Sequence, residues 1–281
     1  MADTTDMTGR TCLITGGSSG IGKATAAALL GKGADVVILA RDEAGLQAAA
    51  SDLTAAADGG TVGTVACDLG SLESVRQTAE TIAARYPQLH VLVNNAGVWL
   101  PERRETADGL EATFQVNYLS HFLLTDLLLD NLRASAPSRI VNVASTHRGV
   151  KLDFDDLMME RKYAAVGSMA RTKLAMVLFT KTLARELAGS GVTVNCLHPG
   201  VTKTALTKGM PWFVRASQRF APPPEKGAET SVYLASSPEV DNVSGQFFKK
   251  CRPARTVGQA NDPAVERQLW ETSRKLCGLT P

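Results

Sequence analysis

The sequence predicts an α/β fold, a parallel sheet with helices on both faces, doubly wound into a single domain over residues 1–281. Short apolar runs rich in β-branched residues alternate with longer Ala- and Leu-rich runs of helical character. The strand runs are apolar throughout, as in strands buried on both faces. No repeat, low-complexity tract or linker divides the chain.

In order, "TCLITG" (11–16) predicts a first strand and "GIGKATAAALLGKG" (20–33) a helix that ends in glycine. "DVVILA" (35–40) is a strand bounded by turn residues, and "DEAGLQAAASDLTAAA" (42–57) is helical. "TVGTVACDL" (61–69) is a strand, 71–86 a helix with Ser71 as N-cap, and "HVLVNNAG" (90–97) a strand. One long helix is expected over 109–132, then the strand "RIVNVAS", a charged segment, the helix containing "VGSMARTKLAMVLFT", and the strand "VTVNCLHPG" (192–200). Residues 205–225 mix bulky apolar, basic and proline residues and predict a lid over a site.

With 44% hydrophobic and 21% charged residues and a net charge of +2, the composition is that of a soluble domain. No basic run calls for a nucleic-acid partner. The five cysteines show no metal-ligand spacing, so no metal is expected; they predict reduced thiols and a cytoplasmic protein. "MADTTDMTGR" lacks the apolar run of a signal peptide, and no stretch reaches the roughly 18 apolar residues of a membrane helix, so no membrane anchor is expected.

"TGGSSGIG" places Gly16, Gly20 and Gly22, with Ser18, Ser19 and Ile21, between a strand and a helix. Glycine permits a tight turn and close approach of a pyrophosphate, and the helix start offers free N–H groups to it. In that flanking context the glycines point to a Rossmann-type dinucleotide site. The second strand ends at Ala40, followed by Arg41 and Asp42. Arg41 suits a 2′-phosphate, which favours NADP(H). Asp42 would read an NAD(H) ribose if the register slipped by one, and is otherwise the N-cap of the next helix.

"TGGSSGIG", "NNAG", the serine of "RIVNVAS", the lysine of "TKLAMVLFT" and "HPGVTKT" together resemble the short-chain dehydrogenase/reductase family over nearly the whole chain. "HPGVTKTAL", "GAETSVYLASSPEV", "SGQFFKKC" and "RQLWETSRKLCGL" resemble its retinol-dehydrogenase-like branch. The resemblance implies an NADP(H)-dependent oxidoreductase. It implies that Asp68, followed by Leu69, reads the adenine. Asn94, Ala96 and Gly97 would line the cofactor ribose, and Asn95 is counted among the cofactor-binding residues. Pro199, Gly200, Thr202 and Thr204 would hold the nicotinamide end. Asn117 would position a water, Ser145 would bond the substrate oxygen, and Lys173 would grip the nicotinamide ribose.

The same resemblance puts a catalytic tyrosine four residues before the lysine, where the two share a helix face. Position 169 is methionine. Tyr163 lies ten residues before Lys173, about 280° around the helix against about 40° for the fourth residue, so it is a poor replacement. Met169 has no proton to give. The remaining donors are Ser145, Lys173 through a water, and His147, which titrates near neutrality. Arg171 is expected to be solvated. The sequence therefore predicts an atypical ketoreductase for a bulky, conjugated or apolar carbonyl, with a homodimer or homotetramer as the possible assembly. A non-redox cyclase or isomerase that keeps the dinucleotide pocket, and a cofactor-sensing binding protein, stay open as alternatives.

Overall fold

Strand side chains divide between two cores by parity. In β1 (Thr11–Thr15), Leu13 joins one core while Cys12 and Ile14 join the other. β2 (Asp35–Ala40) sends Val37 and Leu39 one way and Val36 and Ile38 the other. With a side-chain period of two and both faces apolar, helices must cover the sheet on both sides. The structure, a computed structural model, describes residues 5–57, 59–145, 149–200, 202 and 221–279.

One face is covered by α1 (Gly20–Leu30), α2 (Glu43–Ala55) and α8 (Pro224–Ser236), through Leu29, Leu46, Leu53 and Leu234. The other face carries α3 (Leu72–Arg85), α5 (Ser120–Leu127) and α7 (Ala165–Glu186). The remaining strands are β3 (Val62–Ala66), β4 (Val91–Asn94), β5 (Ser138–Val143), β6 (Val192–His198), β7 (Phe247–Lys249) and β8 (Arg252–Pro253). They form one eight-stranded sheet in the order β3-β2-β1-β4-β5-β6-β7-β8, in which only the β7–β8 pair is antiparallel. The order reverses between β1 and β4, so a crevice opens beyond their carboxyl ends, the usual place for a ligand in such a sheet.

The long helix expected over 109–132 is instead divided. Gly109 has φ +72, and the helix starts only after Glu111, whose carboxylate caps Thr113 N and Phe114 N. α4 (Ala112–Phe114) passes into a π-helical turn at Gln115–Leu119, then α5, and a break at Leu128 precedes α6 (Leu129–Ala134). A π turn adds a residue to the helical repeat and is frequent at functional sites; here it carries Asn117.

α9 (Pro263–Leu276) closes the outside of α5 and α7. Trp270 meets Phe122 edge-on at 5.2 Å and stacks on Phe179 at 6.2 Å, and the Tyr118 hydroxyl lies 2.7 Å from Ser273 Oγ. Phe122 is 1% exposed at the centre of this cluster. Phe122→Ala is expected to lower unfolding stability by about 3–5 kcal/mol, read from the midpoint of a urea melt.

No helix among the described residues is long and apolar enough to cross a membrane. None of the five cysteines is in a disulfide, and among the described residues no cluster could hold a metal ion.

Candidate active site

The turn after β1 is made by Gly16 at φ +68, and a side chain at Gly22 would lie 2.3 Å from the Gly16 carbonyl oxygen. The first turn of α1 therefore rests directly on the loop. Helices α2 and α3 satisfy their first N–H groups with the side chains of Asp42 and Ser71 and carry Glu43 and Glu73 in the first turn. α1 has neither device: Ser19 makes no side-chain cap bond and no acid follows. Its free N–H groups and uncompensated positive end suit an anion such as a pyrophosphate. Ser18, Gly20 and Ile21 complete this loop. A side chain at Gly227 would meet Thr202 Cγ2 at 2.7 Å and Ile21 Cγ1 at 3.0 Å. Thr202 and Ile21 of the phosphate loop thus both pack against α8 at Gly227. Thr204 and His147 lie outside the described residues, as does the expected lid except for 221–225, where α8 begins.

At the tip of β2, Arg41 is exposed, while Asp42 Oδ2 accepts Gly45 N at 3.0 Å as the N-cap of α2. Beyond β3, Asp68 Oδ1 accepts Gly70 N at 2.9 Å. Leu69 is buried, and its carbonyl accepts the Ser120 hydroxyl at 2.6 Å.

The loop after β4 requires a correction. Asn94 does not line the crevice: its amide nitrogen donates inside the protein to Thr125 Oγ1 at 2.9 Å and Asn142 Oδ1 at 2.8 Å. Chain alternation turns it inward and brings the backbone of the next residues out. Asn95 N and Ala96 N both donate to Thr15 Oγ1, at 2.8 and 2.9 Å, and Asn95 Nδ2 donates to Thr15 O. Gly97 lies against Asn117, where a side chain would meet Oδ1 at 3.3 Å.

Asn117 is fixed at both ends of its amide: Oδ1 accepts Val98 N at 2.7 Å and Nδ2 donates to Val98 O at 2.9 Å. Its Nδ2 also lies 3.6 Å from Met169 Sδ, so the helix face that carries Met169 faces the π turn. One helical turn on, Lys173 Nζ donates to Val143 O at 2.8 Å, at the end of β5 and two residues before the buried Ser145. Desolvation lowers the Lys173 pKa from 10.5 to about 8. Of an ammonium's three hydrogens, Val143 takes one. β5, α7 and the π turn thus gather Ser145, Lys173, Met169 and Asn117 around the carboxyl end of the sheet.

Tyr163 precedes α7, and its hydroxyl donates to Leu100 O at 2.9 Å. Arg171 is not solvated, contrary to expectation. It is half-buried and its Nη2 donates to Asp153 O and Asp156 O, pinning the segment before α7.

Sequence reasoning passed over Thr15 and His121. Thr15 Oγ1 lies 2.9 Å from His121 Nε2, and His121 Nδ1 lies 3.3 Å from Asn117 O. The available signal was the i, i+4 spacing of Asn117 and His121 on one helix. Burial depresses the His121 pKa to about 4; the bond to the Asn117 carbonyl opposes this and the nearby Lys173 charge adds to it.

A glycine-built anion cradle at the topological switch point, beside the Asn117, Met169 and Lys173 side chains of the π turn and α7, is the arrangement of a nicotinamide-dinucleotide-binding α/β enzyme. The model of the short chain dehydrogenase family matches residues 10–211, and the chain belongs to that family. It is similar to human retinol dehydrogenase 14, with 44% identity across 97% of this chain and 88% of that protein. Among solved structures, an uncharacterized protein from Mycobacterium paratuberculosis superposes with a TM-score of 0.82 at 31% identity, covering 99% of this chain and 97% of that one. The Pseudomonas aeruginosa RhlG/NADP complex gives 0.72 at 28% identity, over 88% and 97%. The chain is an oxidoreductase of the retinol-dehydrogenase-like branch.

Proposed function

We propose that the protein is an NADP(H)-dependent carbonyl reductase that works without the family's tyrosine, on a bulky or conjugated apolar aldehyde or ketone. The observation that carries this reading is that Met169 Sδ lies 3.6 Å from the Asn117 amide nitrogen while Lys173, one helical turn on, bonds the Val143 carbonyl two residues before Ser145. The names of the relatives support the substrate class, since they are retinol dehydrogenases.

The residues present fit the dinucleotide. A side chain at Gly22 would collide with the Gly16 carbonyl, so glycine there lets α1 begin directly on the loop, and the start of α1 has no acid of its own to compete with phosphate. Gly16, Ser18, Ser19, Gly20, Ile21 and Gly22 would hold the pyrophosphate. Asp68 and Leu69 would hold the adenine, and Asn95, Ala96 and Gly97 the ribose. Pro199, Gly200, Thr202 and Thr204 would hold the nicotinamide end. When bound, the reduced cofactor supplies the hydride.

The 2′-phosphate falls to Arg41, because Asp42 is committed to capping α2. Arg41→Ala is expected to weaken NADPH binding about tenfold and leave NADH binding within about twofold, measured by fluorescence titration. Equal weakening of both cofactors would remove the assignment.

The protein must then stabilise negative charge on the substrate oxygen and deliver a proton. Ser145 offers a hydroxyl donor at the end of β5. The Lys173 ammonium, protonated below about pH 8, has two N–H groups left after Val143 and serves as the proton source, directly or through a water held near Asn117. His147, two residues after Ser145 in the sequence, is the alternative donor. Met169 contributes shape and no proton. A conjugated carbonyl spreads the charge and needs less acid, which suits this pocket.

Five cysteines without a disulfide suit a reducing compartment such as the cytoplasm. A homodimer or homotetramer is the proposed assembly.

A further inference from the structure

Thr15 Oγ1 accepts two backbone hydrogens, from Asn95 N and Ala96 N, and both of its lone pairs are thereby used. Its own hydrogen must go to an acceptor. His121 Nε2 lies at 2.9 Å and Val93 O at 3.4 Å, so the imidazole takes it. Nε2 is then bare, and a neutral ring carries its hydrogen on Nδ1. That nitrogen faces the carbonyl of Asn117 at 3.3 Å. The bonds therefore run one way, from the loop after β4 through Thr15 and the ring to the π turn. His121 and Thr15 are 1% and 0% exposed, so bulk solvent does not compete for these bonds.

We propose that His121 is a positioning residue that, as a single buried Nδ1–H tautomer, locks the Asn95–Ala96 backbone and the Asn117 carbonyl into one rigid unit. Its two nitrogens have separate tasks. Nε2 holds Thr15, and through it the backbone at the cofactor side of the crevice. Nδ1 orients the Asn117 carbonyl, whose side-chain amide is already held by Val98 and abuts Met169. The inference rests on the proposed hydride-transfer site for its catalytic consequence, while the bond directions stand on geometry alone.

Two substitutions separate the tasks. His121→Gln keeps an acceptor near the Nε2 position and loses the donor to Asn117. His121→Asn keeps a donor near the Nδ1 position and loses the acceptor for Thr15. The experiment measures NADPH dissociation constants, kcat on a conjugated aldehyde, and the 15N shifts of the His121 ring in the wild-type protein at pH 7. The expected spectrum shows a protonated Nδ1 and a bare Nε2. H121Q is expected to lower kcat about tenfold with NADPH affinity within about twofold, and H121N to weaken NADPH about fivefold with kcat at saturation within about threefold. A protonated Nε2, or variants that lose affinity and kcat in the same proportion, would overturn the proposal. Should either variant fail to fold, the wild-type tautomer decides. Should the wild type turn over no carbonyl, the reductase reading fails, while the tautomer and the contrast in NADPH affinity still judge His121.

Discussion

Lys173→Met is expected to lower kcat/KM for carbonyl reduction by about 10²–10⁴-fold at pH 7, the range for loss of a general acid. Lys173 Nζ is held at the end of β5 by the Val143 carbonyl, beside Ser145, and residue 169 offers no proton. On the proposed reading the ammonium is then the proton source. Burial lowers its pKa to about 8, so it is mostly charged at pH 7 and lost above that value. The wild-type rate is expected to fall about tenfold per pH unit above about 8, and a flat profile from pH 7 to 10 would remove Lys173 as the proton source. The same shift sets a stability trend. A base whose folded pKa lies below its unfolded value gives a protein more stable above the unfolded pKa, with that stability lost as pH falls through the folded pKa. Between pH 8 and 10.5 the wild type gains stability that the Lys173→Met variant cannot, so the melting temperature of the variant relative to wild type should fall across that window.

Met169→Tyr is expected to act in the opposite direction, raising the reduction rate of a simple unconjugated ketone about 10²-fold or more, because it restores a phenol one helical turn from Lys173. Met169 is half-buried and already faces the Asn117 amide, so the hydroxyl would enter the polar side of the pocket. The gain should be smaller for a conjugated aldehyde, whose charge is already delocalised. A rate unchanged or lost on every carbonyl would mean that the pocket is shaped for another reaction. The kcat ratio between simple and conjugated substrates is the reading that matters, since a packing effect alone would move both together.

Much of the architecture was legible in the sequence. The apolar strand runs with Ala/Leu helices between them located β1 to β6, with β1 and β2 within a residue, while the C-terminal ends of β3 to β6 were overrun by two or three residues, because the loops that follow them continue with apolar and small residues. Ser71 and Asp42 were legible as caps, since a short polar side chain just before a helix has a local hydrogen bond to make. The helix expected over 109–132 was misread. Its apolar pattern is continuous, and nothing in a 3.6-residue period announces an extra residue at Gln115–Leu119. Asn94 was misread because the two asparagines of "NNAG" are chemically identical, and only strand alternation decides that the first turns inward. Arg171 was misread because its partners are backbone carbonyls of a preceding turn, which no spacing rule reveals. His121 and Thr15 were missed for a similar reason: their roles depend on a bond across 106 residues.

The central claim, hydride transfer to a carbonyl without the tyrosine, is tested most directly by isotope transfer. The protein is incubated with NADPH deuterated at C4, each face in turn, and a conjugated aldehyde such as retinal, and the alcohol is analysed by mass spectrometry. The account predicts one deuterium on the carbinol carbon from one face only, in excess of a control without protein. Product formed equally with NADP⁺, or NADPH consumption that never exceeds that control, would contradict it.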